Sequence, residues 1–411
     1  MVERVTISEV GHAGDGVAET PQGAVFVPFT LAGEVADIER DGERGRLRTL
    51  VSPSAERATP ACRHFGACGG CALQHWQSAP YLAWKEAGVA TALGQRGISA
   101  TIRPIRAIGP GERRRAVFTA VRRSDRVVLG FARRGSEEIL PLAECPVTAP
   151  AIVAALPLLA AIAGKALSQS ERAHVAVTFV DNGLDISIDG KRPSPALLAT
   201  LLAFAGERTI ARLTLGGETV FQNEQPQIAI DPASPGTRLF PPPGAFLQAA
   251  ARAEAALAEA VLEAVGSDGP FADLFCGVGT FALRLAGRAP VLAMDSDPAA
   301  LAALERSAHA ARGLKTITPR RRDLLRSPPT PAELRGFAAV AFDPPRAGAR
   351  RLAEELARSA VPRLAAVSCN PATFARDARI LIDGGYRLLW VQPVDQFLYA
   401  PHIELVAAFA R

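Results

Sequence analysis

The feature that most restricts the fold of this chain is a regular alternation beyond residue 240. Short apolar runs follow one another there, separated by segments of helical composition, and several runs end in Asp or Cys. Apolar strands joined by helices predict a doubly wound sheet whose ligands bind at the carboxyl ends of the strands. We therefore expect residues 241–411 to form a Rossmann-like α/β domain with the strands FADLF, VLAMD, AAVAFD, LAAVSC, YRLLWVQPV and ELVAAFA.

The first of these runs leads into a glycine loop in FADLFCGVGTFAL. Gly277 and Gly279 allow the backbone to approach a ligand, and the following helix N-terminus offers unpaired N–H groups. The next run ends at Asp295, where a carboxylate can accept both ribose hydroxyls. A dinucleotide loop usually has a third glycine near position 282, where this chain has alanine. With Asp273 and the later DPPR, this pattern favours an S-adenosylmethionine methyltransferase over a dehydrogenase.

The run ending at Phe342 is followed by DPPR, which contributes Asp343 and Arg346. Its two prolines fix backbone torsions and remove two N–H donors, so the motif predicts a rigid lip. Beside a cofactor loop, that lip is expected to shape a slot for a base. A plain strand end is the alternative.

The stretch SCNP places Cys369 directly after an apolar run and before an Asn-Pro turn. Free cysteine often packs as a small apolar residue, and such packing is one interpretation. The other is a nucleophile, because solvent and ligands reach the ends of strands. The local sequence leaves both open.

The N-terminal residues 1–52 consist of short apolar runs separated by Gly turns. This rhythm predicts a small five-stranded barrel of the oligonucleotide-binding type. The segments GHAGDGVAE and VPFTLAGE are similar to the TRAM domain. Residues 1–50 contain nine acidic residues and five arginines, a net charge of −4, so we expect this barrel either to orient the protein or to contact RNA on one face only.

Residues 53–240 are predicted to form a central α+β domain. The segment HVAVTFVDNGLDISIDG predicts a hairpin that turns at residues 181–183, and FPPPGAF predicts a stiff linker. The segment 113–134 contains eight arginines and one acid, Asp125. It predicts either a strand pair facing an RNA backbone or a solvated basic surface, and charge alone favours neither.

Four of the six cysteines belong to this central region: Cys62, Cys68, Cys71 and Cys145. A disulfide framework is not expected in a long cytoplasmic chain. Their spacing is compatible with a zinc ion bound by four thiolates and with an iron–sulfur cluster, and leaves both open.

Composition places the 411 residues among globular proteins, since 48% are hydrophobic and 21% are charged. The longest apolar run, residues 151–164, is too short to span a bilayer and contains Pro157. The N-terminus lacks the pattern of a secretory signal. We therefore expect a cytoplasmic monomer without membrane contact.

Five motifs together resemble the RNA uridine 5-methyltransferases: FLQ, DLFCGVGTF, DPPR, SCNPATFARD and HIE, in this order. The resemblance covers essentially the whole chain and implies methylation of uridine by S-adenosylmethionine. Asparagine is more familiar in that family at positions 280 and 323, and glutamate often occupies position 295. The residues that the resemblance assigns to the cofactor or base pocket are Gln248, Phe275, Thr280, Asp295, Asp323 and Asp343.

The expected chemistry requires a nucleophile and a base across one pocket. Carbon 5 of uracil becomes nucleophilic once a thiolate adds to carbon 6, and a general base must then remove the carbon-5 proton. Cys369 supplies the thiolate, and Glu404 in HIE matches the family's base, with His402 beside it. Cytosine methyltransferases that act on RNA usually have a second cysteine where this chain has DPPR, so uridine is favoured.

The resemblance also implies a 4Fe–4S cluster on the four central cysteines. Four thiolates close every iron position, so we expect a structural cluster. Family members with such cysteines act mostly on large-subunit rRNA, which favours 23S rRNA over tRNA as the substrate. The alternative is a non-catalytic, cluster-bearing RNA-binding protein.

Overall fold

The computed structural model describes residues 2–124, 126–230 and 236–411. Asp125, the acidic residue of the arginine-rich segment, lies outside the described residues. Three large sheets organise the chain. Within the described residues, no helix combines the length and the apolar character needed to cross a membrane.

The N-terminal sheet has six strands in the order β1-β5-β6-β4-β3-β2, with mostly antiparallel neighbours. The sequence predicts five, and the sixth arises because residues 9 and 10 form a short strand of their own. Val25, Val27 and Ile38 point into its small core, where a β-carbon at Gly45 would lie 2.9 Å from the Ile38 and Val27 side chains. The strands are β1 (Val2–Thr6), β2 (Glu9–Val10), β3 (Gly16–Thr20), β4 (Gly23–Val27), β5 (Val35–Asp41) and β6 (Arg44–Ser52).

The central sheet has seven strands in the order β10-β9-β8-β11-β12-β13-β14. Its predicted hairpin is present, since β11 and β12 pair antiparallel up to Val180 opposite Gly183. The strands are β8 (Arg115–Arg123), β9 (Arg126–Ala132), β10 (Ile139–Pro141), β11 (Arg172–Val180), β12 (Gly183–Ile188), β13 (Ile210–Leu215) and β14 (Glu218–Gln222). The helices of this region are α2 (Pro150–Ala154), α3 (Leu156–Ala166), α4 (Pro195–Leu201) and a 3₁₀ turn (Leu202–Gly206). A separate strand pair consists of β15 (Ile228–Ala229) and β16 (Arg238–Leu239).

The C-terminal sheet has eight strands in the order β19-β18-β17-β20-β21-β23-β22-β7. The first five are parallel, and β23 runs antiparallel to both β21 and β22. Its strands are β7 (Arg106–Ala107), β17 (Phe271–Leu274), β18 (Val291–Asp295), β19 (Ile317–Arg321), β20 (Ala339–Phe342), β21 (Arg363–Ser368), β22 (Arg387–Asp395) and β23 (Glu404–Ala410). The helices around it are α1 (Ser78–Gly94), α5 (Ala251–Val265), α6 (Ala282–Leu285), α7 (Pro298–Ala310), α8 (Arg350–Arg358) and α9 (Pro371–Asp383).

Both faces of the C-terminal sheet are covered, which explains the uninterrupted apolar runs in its sequence. Phe271 packs on the face that carries α5 and α7, while the next residue, Ala272, packs with α8 and α9 on the opposite face. The predicted doubly wound α/β fold of the C-terminal part of the chain is confirmed.

Residues 78–107 pack on the C-terminal sheet, although the sequence groups them with the central region. Val89 and Leu93 of α1 join the core beside α9, and β7 pairs with the end of β22. Lys85 of α1 inserts its ammonium 2.6 Å from the buried carboxylate of Asp395. The helix pattern reveals an apolar face but not the sheet that covers it.

Candidate functional site

A cavity of about 510 Å³ opens at the carboxyl ends of the C-terminal strands. Parallel strands end at one edge, so residues that are distant in sequence meet there. Among the predicted site residues, nine contribute to its lining: Gln248, Phe275, Gly277, Thr280, Asp295, Asp323, Asp343, Cys369 and Glu404.

Gly279 is the predicted cofactor residue that does not line this cavity. Its φ is +96°, and a β-carbon there would lie 2.4 Å from Leu304 Cδ1. Glycine is therefore required for the packing of the loop on α7. Asp273 is also absent from the lining, because it is fully buried in β17.

The glycine loop is held by the end of the neighbouring strand. Gly277 has a φ of +52° and donates its N–H to Asp295 Oδ2 at 2.8 Å, while Asp295 Oδ1 accepts from the Asp297 N–H at 2.9 Å. Asp297 in turn caps α7 through the Ala299 N–H. The Asp295 carboxylate thus connects the loop to the start of α7 at the cavity wall.

Asp323 follows β19 on the same side of the cavity. Its Oδ1 accepts the N–H groups of Leu325 and Arg326 at 3.1 and 3.2 Å. These bonds fix the turn, and the exposed carboxylate still faces the cavity.

Cys369 and Glu404 meet because β23 runs antiparallel to β21. Ser368, the last residue of β21, pairs with Leu405 of β23. Because the strands are antiparallel, Cys369, which follows Ser368, lies opposite Glu404, which precedes Leu405. Asn370 then accepts the Ala372 N–H at 3.0 Å and begins α9, which keeps Cys369 in the short link between strand and helix. The two residues predicted to act in sequence therefore border one cavity.

The surroundings of Glu404, Asp343 and Cys369 favour the protonated form of each side chain. Burial, followed by the charge of Asp343, raises the pKa of Glu404, and burial likewise raises the pKa of Asp343. Burial, then Glu404 and Asp343, raise the pKa of Cys369 to about 11, and only the Arg346 charge and a backbone hydrogen bond oppose them. The resting site therefore holds a thiol rather than a thiolate.

Sequence reasoning missed Gln396, a buried residue directly after β22. Its side-chain amide donates to Glu404 Oε1 at 3.1 Å and to Gln248 Oε1 at 2.7 Å. The only sequence feature that could have indicated a role for Gln396 is its position, as a polar residue at the end of an apolar strand and eight positions before Glu404.

The four central cysteines lie close enough together for their charges to interact. Charge on Cys145 raises the pKa values of Cys62, Cys68 and Cys71, although burial is the larger cause for each. Gly70 N–H donates to Cys68 Sγ at 3.4 Å, and the Thr148 hydroxyl donates to Cys145 Sγ at 3.2 Å. Across the described ranges, however, no three Cys, His, Asp or Glu side chains are grouped as ligands of a metal ion.

The arginine-rich segment forms the strand pair β8 and β9, and much of its charge is used inside the protein. Arg114 pairs with buried Glu254, Arg134 pairs with Asp15, the residue before β3, and Arg122 donates to backbone carbonyls. Arg123 and Arg126 are exposed where the hairpin turns. A charge count cannot separate these roles, because the internal partners lie far away in sequence.

Comparison with known proteins agrees with this architecture. Residues 1–39 match the TRAM domain family, which confirms the predicted TRAM unit. The fold resembles that of the Pyrococcus abyssi tRNA (uracil-54, C5)-methyltransferase, solved with S-adenosyl-L-homocysteine, with a TM-score of 0.77, 24% identity and 99% of each chain covered.

Sequence relatives cover nearly the whole chain. An uncharacterised RNA methyltransferase of Brucella suis is 46% identical over 99% of this chain and 98% of its own length. The 23S rRNA (uracil(1939)-C(5))-methyltransferase RlmD of Edwardsiella ictaluri is 32% identical over 98% of this chain and 95% of its own length. The chain therefore belongs to the RNA uracil-C5-methyltransferase family.

Proposed function

We propose that this protein methylates carbon 5 of a uridine in RNA, with Cys369 as nucleophile and Glu404 as general base. The observation that carries the proposal is the pairing of β21 with β23, which puts these two residues opposite each other at one cavity. A nucleophile and a base that act on neighbouring carbons of one ring need this proximity.

Bound S-adenosylmethionine would supply the methyl group. The side chains that would hold it or the base are those that line the cavity, among them the hydrogen-bonded pairs of Gly277 with Asp295 and of Gln248 with Asp343. Gly277 offers room beside the loop, since a β-carbon there would meet no atom within 4 Å.

Cys369 begins the reaction by passing its proton to solvent and forming a bond from sulfur to carbon 6. The carbon 5–carbon 6 π electrons move towards the carbonyl at carbon 4, and carbon 5 becomes able to take the methyl group, with S-adenosyl-L-homocysteine as the product that would leave. Burial raises the pKa of Cys369, and the charge of Arg346 opposes that rise and so favours this ionisation. Glu404 then takes the carbon-5 proton, the double bond re-forms and the sulfur leaves.

For the substrate, we favour 23S rRNA over tRNA. The support is the similarity to the Edwardsiella 23S rRNA (uracil(1939)-C(5))-methyltransferase, which matches this chain along nearly its full length. The Pyrococcus abyssi tRNA (uracil-54, C5)-methyltransferase shares the fold at lower identity, so tRNA is the second candidate.

Deletion of the gene should remove one 5-methyluridine from large-subunit rRNA and leave tRNA unchanged. Mass spectrometry of both RNAs from the deletion strain measures this. Restoring the intact gene should restore the modification, and a gene with Cys369→Ala should not. Loss of 5-methyluridine from tRNA alone would support the second candidate, and unchanged RNA would contradict the proposed activity.

We also propose that Cys62, Cys68, Cys71 and Cys145 hold a 4Fe–4S cluster of structural role. Support comes from the proximity of the four thiols and from the N–H and O–H groups that donate to sulfur, since hydrogen bonds of this kind tune iron–sulfur sites. The cluster would fasten the loop of residues 53–77 to the segment after β10.

Protein purified without oxygen should accordingly be brown and contain iron and acid-labile sulfide. The Cys145→Ala variant should lose colour and solubility before it loses S-adenosylmethionine binding, because the cofactor cavity uses none of these thiols. Metal analysis of the two proteins is the measurement. A colourless parent with one zinc per chain would refute the cluster.

The exposed hairpin arginines should contact phosphate. Changing Arg123 and Arg126 to Gln should weaken RNA binding and reduce the slope of log affinity against log salt by roughly one unit per lost contact. Filter binding at several salt concentrations measures the slope. Arg358→Gln, at an exposed arginine of α8, is the control. An unchanged slope in the double variant would show a solvated surface.

A further inference from the structure

The amide of Gln396 has a partner for each of its three polar positions. Its Nε2 donates to Gln248 Oε1 at 2.7 Å and to Glu404 Oε1 at 3.1 Å. Its Oε1 accepts the backbone N–H of Ala249 at 2.9 Å. The residue is 1% exposed, so water does not replace these partners. Gln396 thus connects the end of β22 with Glu404 and with the segment before α5.

These partners determine which way the amide faces. The Ala249 N–H can only donate, so the atom of Gln396 that meets it must be the oxygen. A reversed amide would place that oxygen against the oxygens of Glu404 and Gln248. With Gln396 so fixed, Gln248 turns its own Nε2 to Asp343 Oδ2 at 3.3 Å.

The backbone that carries Gln396 is also held in place. Its neighbour Asp395 is buried and accepts from Lys85 Nζ at 2.6 Å and from the Tyr81 hydroxyl at 2.7 Å. Lys85 Nζ also donates to the carbonyl of His402 at 2.7 Å, two residues before Glu404. Both ends of the loop between β22 and β23 are therefore fixed by α1.

We propose that Gln396 is the positioning residue for Glu404, holding its carboxylate ready to remove the carbon-5 proton. This role rests on the proposed uridine methylation. Gln396 is not among the residues that line the cavity, so it acts on the reaction through Glu404. The geometry that supports the role is the donated hydrogen bond to Glu404 Oε1.

Charge around Glu404 gives this hydrogen bond a measurable effect. Within the described chain, the titratable groups that face Glu404 are Asp343 and Cys369, while Lys85 is directed to Asp395 and Arg346 to the Cys369 side. Burial and Asp343 raise the pKa of Glu404, and the Gln396 donor lowers it. Without that donor Glu404 retains its proton to a higher pH. A base must be ionised to act, so removal of the carbon-5 proton slows at neutral pH.

The test is the variant Gln396→Met, which keeps the side-chain length and removes the donor. Release of methylated RNA from Cys369 should slow about tenfold at pH 7, since a hydrogen bond to a charged group contributes at least that factor. The acid limb of the release rate should move to higher pH by about one unit. The methylated protein–RNA adduct should accumulate at pH 7 and disappear as the pH is raised.

Gln392→Met is the matched control, because Gln392 is a buried glutamine of β22, the strand that Gln396 directly follows. Its Nε2 donates to the carbonyls of Pro104 and Pro393 and has no bond to Glu404. This variant should lose stability without a change in the pH profile. Gln396→Asn, which withdraws the amide by one methylene, should shift the profile in the same direction as Gln396→Met and serves if the latter does not fold.

A parent-like pH profile and adduct lifetime in both Gln396 variants would overturn the role, and so would an equal shift in Gln392→Met. The double variant Gln396→Met/Glu404→Gln should release product no more slowly than Glu404→Gln alone, because Gln396 acts only through Glu404. An additional loss in the double variant would also overturn the role. If the parent methylates no uridine, the proposed function itself fails, an outcome distinct from parent-like variants of an active enzyme.

Discussion

Cys369→Ala should abolish both turnover and covalent attachment to RNA. Without the sulfur no bond forms at carbon 6, and carbon 5 stays too weakly nucleophilic to accept a methyl group. Removal of a covalent nucleophile costs on the order of 10⁶-fold in rate in a well-studied protease, so no product should be detected here. Transfer of labelled methyl groups into uridine-containing RNA is the measurement.

The same variant should fold and bind S-adenosylmethionine as the parent does. Cys369 is half-buried in the link between β21 and α9, where alanine removes one atom at the cavity wall. Calorimetric binding and the thermal midpoint therefore separate lost chemistry from lost structure. Residual turnover near the parent rate would exclude Cys369 as the nucleophile.

Glu404→Gln should trap the reaction at a later stage than Cys369→Ala. Glutamine keeps the shape and the contact with Gln396 but cannot take the carbon-5 proton, so addition and methyl transfer still occur. The methylated base should remain bonded to Cys369 and survive denaturation on a gel. Loss of a general base typically costs about 10²–10⁴-fold, so slow release through water is expected.

The pH dependence of product release provides a second readout for Glu404. Burial and the charge of Asp343 raise the pKa of this carboxyl, so in the parent the rate should increase with pH beyond the usual carboxyl range. Glu404→Gln should lose that dependence. If the variant turned over like the parent, or trapped nothing while Cys369 was intact, Asp343 or His402 would have to act as the base.

Much of the C-terminal fold could be predicted from sequence because its signals are local. FADLF followed by CGVG predicts a buried strand and a turn within a few residues. The two prolines of DPPR predict a rigid backbone at that motif. Cys369 could be placed at a strand end in the same way. Its proximity to Glu404 depends on the antiparallel direction of β23, which no local sequence pattern encodes. Only the family resemblance predicted that Cys369 and Glu404 act together.

Other features depend on partners that are distant in sequence. A count of charges suggests that Arg114 and Arg134 bind RNA. In the structure, however, they form ion pairs with Glu254 and Asp15. Gln396 has no motif of its own, and its importance comes from three contacts that only the folded chain assembles. Predictions from sequence fail here because long-range pairing decides the role of a polar side chain.

The contact between Lys85 and Asp395 has a consequence for how the chain is made. The two residues are 310 positions apart, so this pair cannot form until nearly the whole polypeptide has left the ribosome. Until then the apolar face of α1 and the Lys85 ammonium lack their partners on the C-terminal sheet. The contacts that fix the loop before Glu404 are also incomplete. Contacts of such separation slow folding and lengthen exposure to aggregation. We therefore expect α1 to dock on the C-terminal sheet only after the last strands have been synthesised, rather than while the N-terminal half is being made.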